Sequence, residues 1–158
     1  MTKAIIFDLD DTIYPEIEYV KRKLEQLKVL DKRIEKKTEI FNIYKEELKE
    51  IKEIEFQPIQ KDTKPNHWLT TILIDKNSKV KPIELIEALE RENIESRPVW
   101  KPMHLQPVFN KYEFFTVNEK SSVSEDLFNR GICLPSDTKM TAEEQEKVIQ
   151  VIRSVFEK

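Results

Sequence analysis

Two aspartates near the N-terminus are spaced for chemistry on a phosphate group. Asp8 and Asp10 lie at the end of the short, mostly apolar run Lys3–Leu9, which predicts a buried strand. Because side chains two residues apart lie on the same side of a strand, both carboxylates would face one site. One carboxylate can attack phosphorus while the other moves a proton, with Mg²⁺ screening the charge. The spacing therefore predicts a candidate catalytic pair that could also bind Mg²⁺.

These aspartates belong to a segment, within about residues 3–20, that resembles motif I of the haloacid dehalogenase (HAD) phosphatases, Phe7-Asp8-Leu9-Asp10-Asp11-Thr12. The resemblance implies that Asp8 is a nucleophile, Asp10 an acid/base and Thr12 a supporting hydroxyl. The family's acidic Gly-Asp motif is missing, because Gly131 is the chain's one glycine and Ile-Cys-Leu follows it. We therefore expect residues 1–25 to be an inactive remnant, with a Mg²⁺-dependent phosphatase as the alternative function.

A second group of candidate residues lies in a proline-rich loop at residues 93–109. Here Arg97, Lys101 and His104 surround Trp100. Guanidinium and ammonium groups suit the oxygens of a diphosphate, and an indole face suits a sugar or a base. The loop therefore predicts a binding site for a sugar nucleotide. The alternative is a packed loop whose basic groups pair with nearby acids.

Nearly the whole stretch from about Gln26 to Phe156 is similar to the C-terminal portion of the DegT/DnrJ/StrS family. These are pyridoxal-phosphate (PLP) aminotransferases that act on nucleotide-linked keto sugars. The matching pieces occur in order along the chain: Val29–Lys37, Trp68–Asp75, Arg97–His104 and Leu127–Ser136. The Trp-Lys-Pro-Met-His version of the loop resembles members acting on UDP-linked 4-keto-6-deoxy sugars, for polysaccharide or glycan synthesis.

This resemblance implies an α/β fold, an α+β small domain of the aspartate-aminotransferase fold type I. A long N-terminal helix, a small, mostly antiparallel sheet and C-terminal helices would compose it. By motif position, the substrate-binding residues would be Arg97, Trp100, Lys101 and His104, with Asn66 as a further choice. Active sites of this family lie between two subunits, so a homodimer or an aminotransferase subunit is the expected partner.

The PLP chemistry of the family needs groups that the resemblance does not place in this chain. A lysine must form the Schiff base, and an acid must lie opposite the pyridine nitrogen. The family carries both in its large domain, which would precede Gln26. We therefore expect two parts, a remnant at 1–25 and the aminotransferase small domain with its connecting helix at 26–158. We expect this truncated, chimeric chain to be inactive alone, or to be a non-catalytic module that binds a sugar nucleotide or a partner.

These candidate residues depend on the elements that must position them. No glycine or proline occurs from Glu16 to about Lys52, and the strong helix formers there predict one long helix. Its apolar flank changes sides between Leu24 and Leu30, where the two resemblances meet. We interpret this slip as the joint between two unrelated pieces. A long helix without a partner also predicts association through residues 17–51.

Shorter elements follow the long helix. The predicted strands are Ile54–Ile59, Trp68–Ile74 and Ile94–Trp100, and a helix is predicted for Pro82–Glu92. Ser122 with Glu125, and Thr141 with Glu144, fit capping boxes that begin two further helices. Gly131 is expected to close the first of these two in the left-handed conformation.

Composition excludes several classes of function. The net charge of −3 gives no electrostatic reason to expect binding to nucleic acid or to an anionic membrane. One glycine excludes glycine-rich phosphate loops, and the single Cys133 excludes an intrachain disulfide. We expect Cys133 to be a small buried residue and His67 a surface residue at a strand start. No apolar run is long enough for a membrane span, and the N-terminus does not resemble a signal peptide. The expected location is the cytoplasm.

Overall fold

Amphipathic helices and short apolar strands form a mixed α and β fold. The structure, a computed structural model, describes residues 16–116 and 122–157. In these residues the helices are α1 (Glu16–Glu47), α2 (Pro82–Arg91), α3 (Val123–Arg130) and α4 (Ala142–Phe156). The strands are β1 (Ile54–Phe56), β2 (Thr70–Ile74), β3 (Arg97–Pro98) and β4 (Gly131–Leu134). The predicted combination of a long first helix, a small antiparallel sheet and C-terminal helices is confirmed.

The strands pair in the order β1-β2-β4-β3, and each neighbouring pair is antiparallel. The central strand β4, where Ile132 pairs with Ile72, was not predicted as a strand. Strand β3 is Arg97–Pro98, much shorter than the predicted Ile94–Trp100. The sheet therefore brings the start of β2 close to β3 through β4, although they are far apart in sequence.

The hydrophobic core lies between the sheet and three of the helices. Its buried members come from α1 and the turn after it, and from β2, α2, β4 and α4: Ile40, Tyr44, Leu48, Ile72, Ile74, Leu85, Leu89, Ile132, Leu134, Val148, Ile149 and Ile152. On α2 the buried side chains are Leu85 and Leu89, one turn apart on the same helix face, whereas Ile83 is exposed.

Helix α1 ends earlier than the sequence predicts. It is helical to Glu47, and a turn follows in which the Ile51 N–H donates to the Leu48 carbonyl at 3.1 Å. Tyr44 is fully buried, and its hydroxyl donates to the Pro135 carbonyl at 3.0 Å. Burial raises the pKa of the Tyr44 phenol above its ordinary value. This buried hydrogen bond joins α1 to the segment that follows β4.

The capping signals are confirmed in part. At α4 the Glu144 N–H donates to the Thr141 hydroxyl at 3.1 Å, and the Thr141 N–H donates to the Glu144 carboxylate at 2.8 Å. At α3 the Glu125 N–H donates to the Ser122 hydroxyl at 3.3 Å, but the Glu125 carboxylate contacts His104 instead of completing the box. The predicted left-handed conformation of Gly131 is wrong, because its φ is −92° and it begins β4.

The predicted N-terminal strand, with Asp8, Asp10 and Thr12, lies outside the described residues. Among the helices that the structure describes, none has both the length and the apolar character that crossing a bilayer requires.

Candidate functional site

Pairing with β4 fixes the loop that carries Arg97, Trp100, Lys101 and His104. Arg97 pairs with Cys133, and the Val99 N–H donates to the Gly131 carbonyl at 3.1 Å. The loop then passes the buried Pro102 into a 3-10 turn at Met103–Leu105. Because prolines fix φ on both sides of Trp100, little backbone freedom remains in the loop.

Two tryptophans form a stacked pair on the surface. The ring centroids of Trp68 and Trp100 are 5.9 Å apart, with 30° between the ring planes. Their side chains are 64% and 65% exposed. Large aromatic faces left open to solvent are costly unless a ligand or a partner covers them. The pair is therefore a candidate platform for a flat or apolar ligand surface.

The tryptophan pair forms part of the wall of a cavity of about 1150 Å³. The other walls come from β3, from β4 with the segment after it, and from the start of α4. Its basic lining residues are Arg97, Lys101, Lys139 and Lys147, and its acidic ones are Glu92, Glu95, Asp137 and Glu144. The cavity thus combines aromatic faces with equal numbers of basic and acidic side chains, so its capacity to bind an anion depends on which cations are left unpaired.

The cations in this cavity differ in how they are paired. The Arg97 guanidinium pairs with the Glu95 carboxylate, with Nε to Oε1 at 2.8 Å, and both side chains are exposed. Lys147 pairs with Glu92 at 3.0 Å. Lys101 is exposed and has no ion-pair partner among residues 16–116 and 122–157. The expectation of a packed loop with paired basic groups therefore holds for Arg97, whereas Lys101 is available to an anion.

His104 is positioned away from the large cavity. Its ring stacks on Phe114 with 3.5 Å between centroids and 12° between planes. Its Nε2 lies 2.9 Å from the Glu125 Oε1, and the side chain is mostly buried. His104 is not among the described residues that line the large cavity. These contacts tie the loop to the start of α3.

Asn66 and His67 lie in the segment just before β2 and set its backbone conformation. Asn66 Oδ1 accepts the Trp68 N–H at 3.1 Å, and His67 has a positive φ of 46°. The His67 ring stacks on Phe41 of α1 at 4.1 Å, and burial lowers the pKa of this imidazole. His67 was expected at the surface, yet it is half-buried. Both residues line a smaller cavity of about 500 Å³ that shares the tryptophan pair.

Sequence reasoning missed two parts of this site. Trp68 was predicted only as the first residue of a strand, and its contact with Trp100 depends on β4 lying between their strands. Cys133, predicted to be buried, is half-buried and lines the large cavity, and burial raises the pKa of its thiol. The available signal for the first of these was a second tryptophan, Trp68, next to the start of a predicted strand.

The profile of the DegT/DnrJ/EryC1/StrS aminotransferase family matches residues 23–153. The chain belongs to this family. The phosphatase resemblance has no counterpart in the comparisons, and the family match begins after Asp8 and Asp10. The predicted catalytic and Mg²⁺-binding roles of those two residues stay predictions. Among the described residues no group of three or more His, Cys, Asp or Glu side chains could hold a metal ion.

Curated relatives match over most of the chain. EpsN of Bacillus subtilis (strain 168), whose name describes a pyridoxal phosphate-dependent aminotransferase, is 44% identical over 133 residues. That match covers 84% of this chain and 34% of EpsN. The GDP-perosamine synthase of Escherichia coli O157:H7 is 33% identical over 135 residues, which cover 85% of this chain and 34% of that protein. The chain therefore spans about a third of the length of these relatives.

Solved structures show the same fold. A DegT DnrJ EryC1 StrS aminotransferase from Brucella abortus superimposes with a TM-score of 0.68 at 27% identity, covering 85% of this chain and 34% of that one. DesI, solved in the presence of its TDP-sugar product, has a TM-score of 0.72 at 18% identity, covering 84% and 33%. At that identity the likeness to DesI shows the fold alone.

The described residues do not form a holding site for PLP. Lys101, Lys139 and Lys147 line the large cavity, but all three are exposed, whereas a Schiff-base lysine needs an environment that lowers its pKa. The amine of Lys37 is partly buried, but two backbone carbonyls hold it. These residues therefore supply binding surface, and we derive no step of cofactor chemistry from them.

Proposed function

We propose that residues 26–158 form the substrate-binding small domain, with its connecting helix, of a PLP-dependent aminotransferase acting on a nucleotide-linked keto sugar. The observation that carries this proposal is the stacked pair of Trp68 and Trp100 in the wall of a cavity that also holds Arg97 and Lys101. Family membership supports the transfer of an amino group as the reaction of the whole protein.

In this proposal each candidate residue has a separate task. The indole faces of Trp68 and Trp100 cover a sugar or a base, since flat apolar rings stack well on aromatic faces. Lys101 binds diphosphate oxygens, and Arg97 joins it when an anion competes with Glu95 for the guanidinium. His104 is the family's motif residue, and its contact with Glu125 gives it the task of holding the loop in place.

A relative supports the substrate class that we propose. It is named a GDP-perosamine synthase, which indicates a nucleotide-linked sugar as the ligand. The loop sequence favours a UDP-linked 4-keto-6-deoxy sugar for this chain. The described residues carry the binding surface, so amino transfer requires groups that they do not supply. As part of the same proposal, the chain alone is inactive in amino transfer and forms a homodimer.

Calorimetric titration tests this binding. The chain is titrated with UDP-, TDP- and GDP-linked 6-deoxy sugars, and with the free sugar as a control. We expect saturable binding of at least one nucleotide sugar, and weakening of about tenfold in Lys101→Ala, the loss of one charge-assisted contact. Lys52→Ala, an exposed lysine outside the large cavity, is the matched control. Absence of binding to every nucleotide sugar would contradict the proposal.

A further inference from the structure

One lysine of α1 contacts two chain segments that form the wall of the large cavity. The Lys37 amine donates to the Trp68 carbonyl at 3.0 Å and to the Ser136 carbonyl. Trp68 lies just before β2, and Ser136 lies just after β4. A single amine therefore holds the ends of two neighbouring strands against the helix.

The contact with Lys37 is the second of two hydrogen bonds that hold the Trp68 backbone. Asn66 accepts the Trp68 N–H, and Lys37 donates to the Trp68 carbonyl, so both polar groups of this residue are paired. The preceding His67 has φ 46°, a conformation that a side chain of this size keeps only where its surroundings hold it. The ring of Phe41, one turn after Lys37 on α1, supplies that support by stacking on His67.

The second segment is tied to α1 at neighbouring residues. The Tyr44 hydroxyl donates to the Pro135 carbonyl at 3.0 Å, and the Thr70 N–H donates to the Ser136 hydroxyl at 3.0 Å. Asp137, next along the chain, lines the large cavity. Because Tyr44 also joins this segment to α1, the segment keeps a link to the helix when Lys37 is changed. Among the described side chains of α1, Lys37 alone forms a hydrogen bond with Trp68.

The environment of the amine is drier than that of an ordinary surface lysine. Burial lowers the pKa of the Lys37 ammonium, and the nearby charge of Asp137 partly opposes this effect. Removing the amine would leave the carbonyls of Trp68 and Ser136 without this donor, and the contact with Ser136 is partly buried. Trp68 is then the part that is free to move.

We propose that Lys37 is a positioning residue for the substrate site, which acts by holding the Trp68 backbone so that its indole stacks on Trp100. Its contact makes the register of α1 a determinant of the tryptophan platform, because a shift of that helix would move the Trp68 backbone with the Lys37 amine. The inference rests on the proposed function only for its effect on substrate, because the geometry of the pair can be measured without a ligand.

The tryptophan pair gives a direct readout of this geometry. The chain has two tryptophans, so indole signals report on this pair alone. Stacked indoles couple their electronic transitions and give a paired band of opposite signs in circular dichroism. Trp68→Phe must abolish that band. We expect Lys37→Met to lose the paired band and to bind the nucleotide sugar about tenfold more weakly, as expected for a displaced contact surface.

Two other variants make the test specific. Lys36→Met is the matched control, since this neighbour pairs only with Glu39 on the helix surface, and it should leave band and affinity unchanged. Lys37→Arg keeps cationic donors at a similar reach and should restore both signals, which a loss of general stability would not do. If Lys37→Met does not fold, Lys37→Gln replaces it, because its shorter, uncharged side chain cannot reach both carbonyls. Loss of the paired band in this folded variant supports the inference, and the wild-type band overturns it.

The failures of the two proposals are distinguishable. A folded Lys37→Met with the wild-type band overturns the role of Lys37, whatever binds to the cavity. A paired band that depends on Lys37, in a chain that binds no nucleotide sugar, upholds the positioning role and rejects the proposed function. Absence of the band from the wild-type chain would overturn the inference at its base.

Discussion

At the scale of single residues, space explains the chain's one glycine better than backbone conformation does. The φ of Gly131 is −92°, which any residue adopts. A Cβ there would lie 2.5 Å from the Leu127 carbonyl oxygen and 2.7 Å from both methyl groups of Val99. Helix α3 and the segment after β3 therefore approach β4 more closely than a side chain permits.

We expect Gly131→Ala to lower the free energy of unfolding by about 1–3 kcal/mol, the usual cost of overpacking a filled site. Chemical denaturation of the two proteins measures the difference. The double change Gly131→Ala with Val99→Ala should recover part of it, because the methyl contacts are removed while the carbonyl contact remains. Equal stability of the wild type and Gly131→Ala would contradict the packing that we describe.

His67 makes stability depend on pH. Burial lowers its pKa from the ordinary 6.5, so the unfolded chain binds a proton more readily than the folded one. The stability that the neutral His67 side chain contributes is fully present above pH 6.5. It is lost as the pH falls from 6.5 through the lower pKa of the folded state. We expect His67→Asn, which tolerates positive φ, to reduce the loss of stability between about pH 7.5 and 5.5. Thermal melts of the wild type and of His67→Asn at both pH values measure this loss. The same pH dependence in the two proteins would contradict the role of His67.

At the scale of elements, one serine joins the two central strands beyond their ladder. Ser136 is buried, and its hydroxyl accepts the buried Thr70 N–H at 3.0 Å while donating to the Leu134 carbonyl at 2.9 Å. The hydroxyl thereby pairs a backbone group at the start of β2 that water cannot reach. The position of Trp68, two residues earlier, depends on this strand start.

Ser136→Ala should therefore cost about 1–3 kcal/mol, the penalty of leaving one buried N–H unpaired. The control is Ser154→Ala on α4, where the hydroxyl is exposed and donates to the Val151 carbonyl. We expect that control to change the free energy of unfolding by less than about 0.5 kcal/mol. Denaturant titrations compare the two, and a loss of similar size in both variants would contradict the role of Ser136.

Local signals explain which elements the sequence predicts. Helix starts are marked by residues that contact their own first turn, as Thr141 and Glu144 do, and these predictions are confirmed. Strand β4 was missed because it has four residues and its partners in β2 lie about sixty positions earlier in the sequence. No local pattern separates such a strand from a loop.

In the candidate site, too, features with a local sequence signal could be predicted, and features that depend on distant residues could not. The loop with Arg97, Trp100 and Lys101 is continuous in sequence, so its chemistry could be predicted from its residue types. The stacking of Trp68 on Trp100 could not, because it arises only when β4 pairs with β2 on one side and β3 on the other. The pairing of His104 with Glu125 likewise joins two elements and has no local signature.

At the scale of the whole molecule, α1 and the sheet form one supporting structure for the tryptophan pair. The helix contributes Ile40 and Tyr44 to the core, and its Lys37 contacts the segments just before β2 and just after β4. The chain spans about a third of the length of these relatives. Binding of a nucleotide-linked sugar is the task that we propose for this portion.

Nitrogen-15 NMR spectra of the two indole N–H groups test the central claim most directly. The chain has two tryptophans, so the spectrum contains two such resonances, and single changes to phenylalanine assign them. A UDP-linked 6-deoxy sugar should shift both resonances along one saturable curve, while the free sugar at equal concentration shifts them far less. Binding confirmed by calorimetry that leaves both indole resonances unmoved would contradict a substrate site built on Trp68 and Trp100.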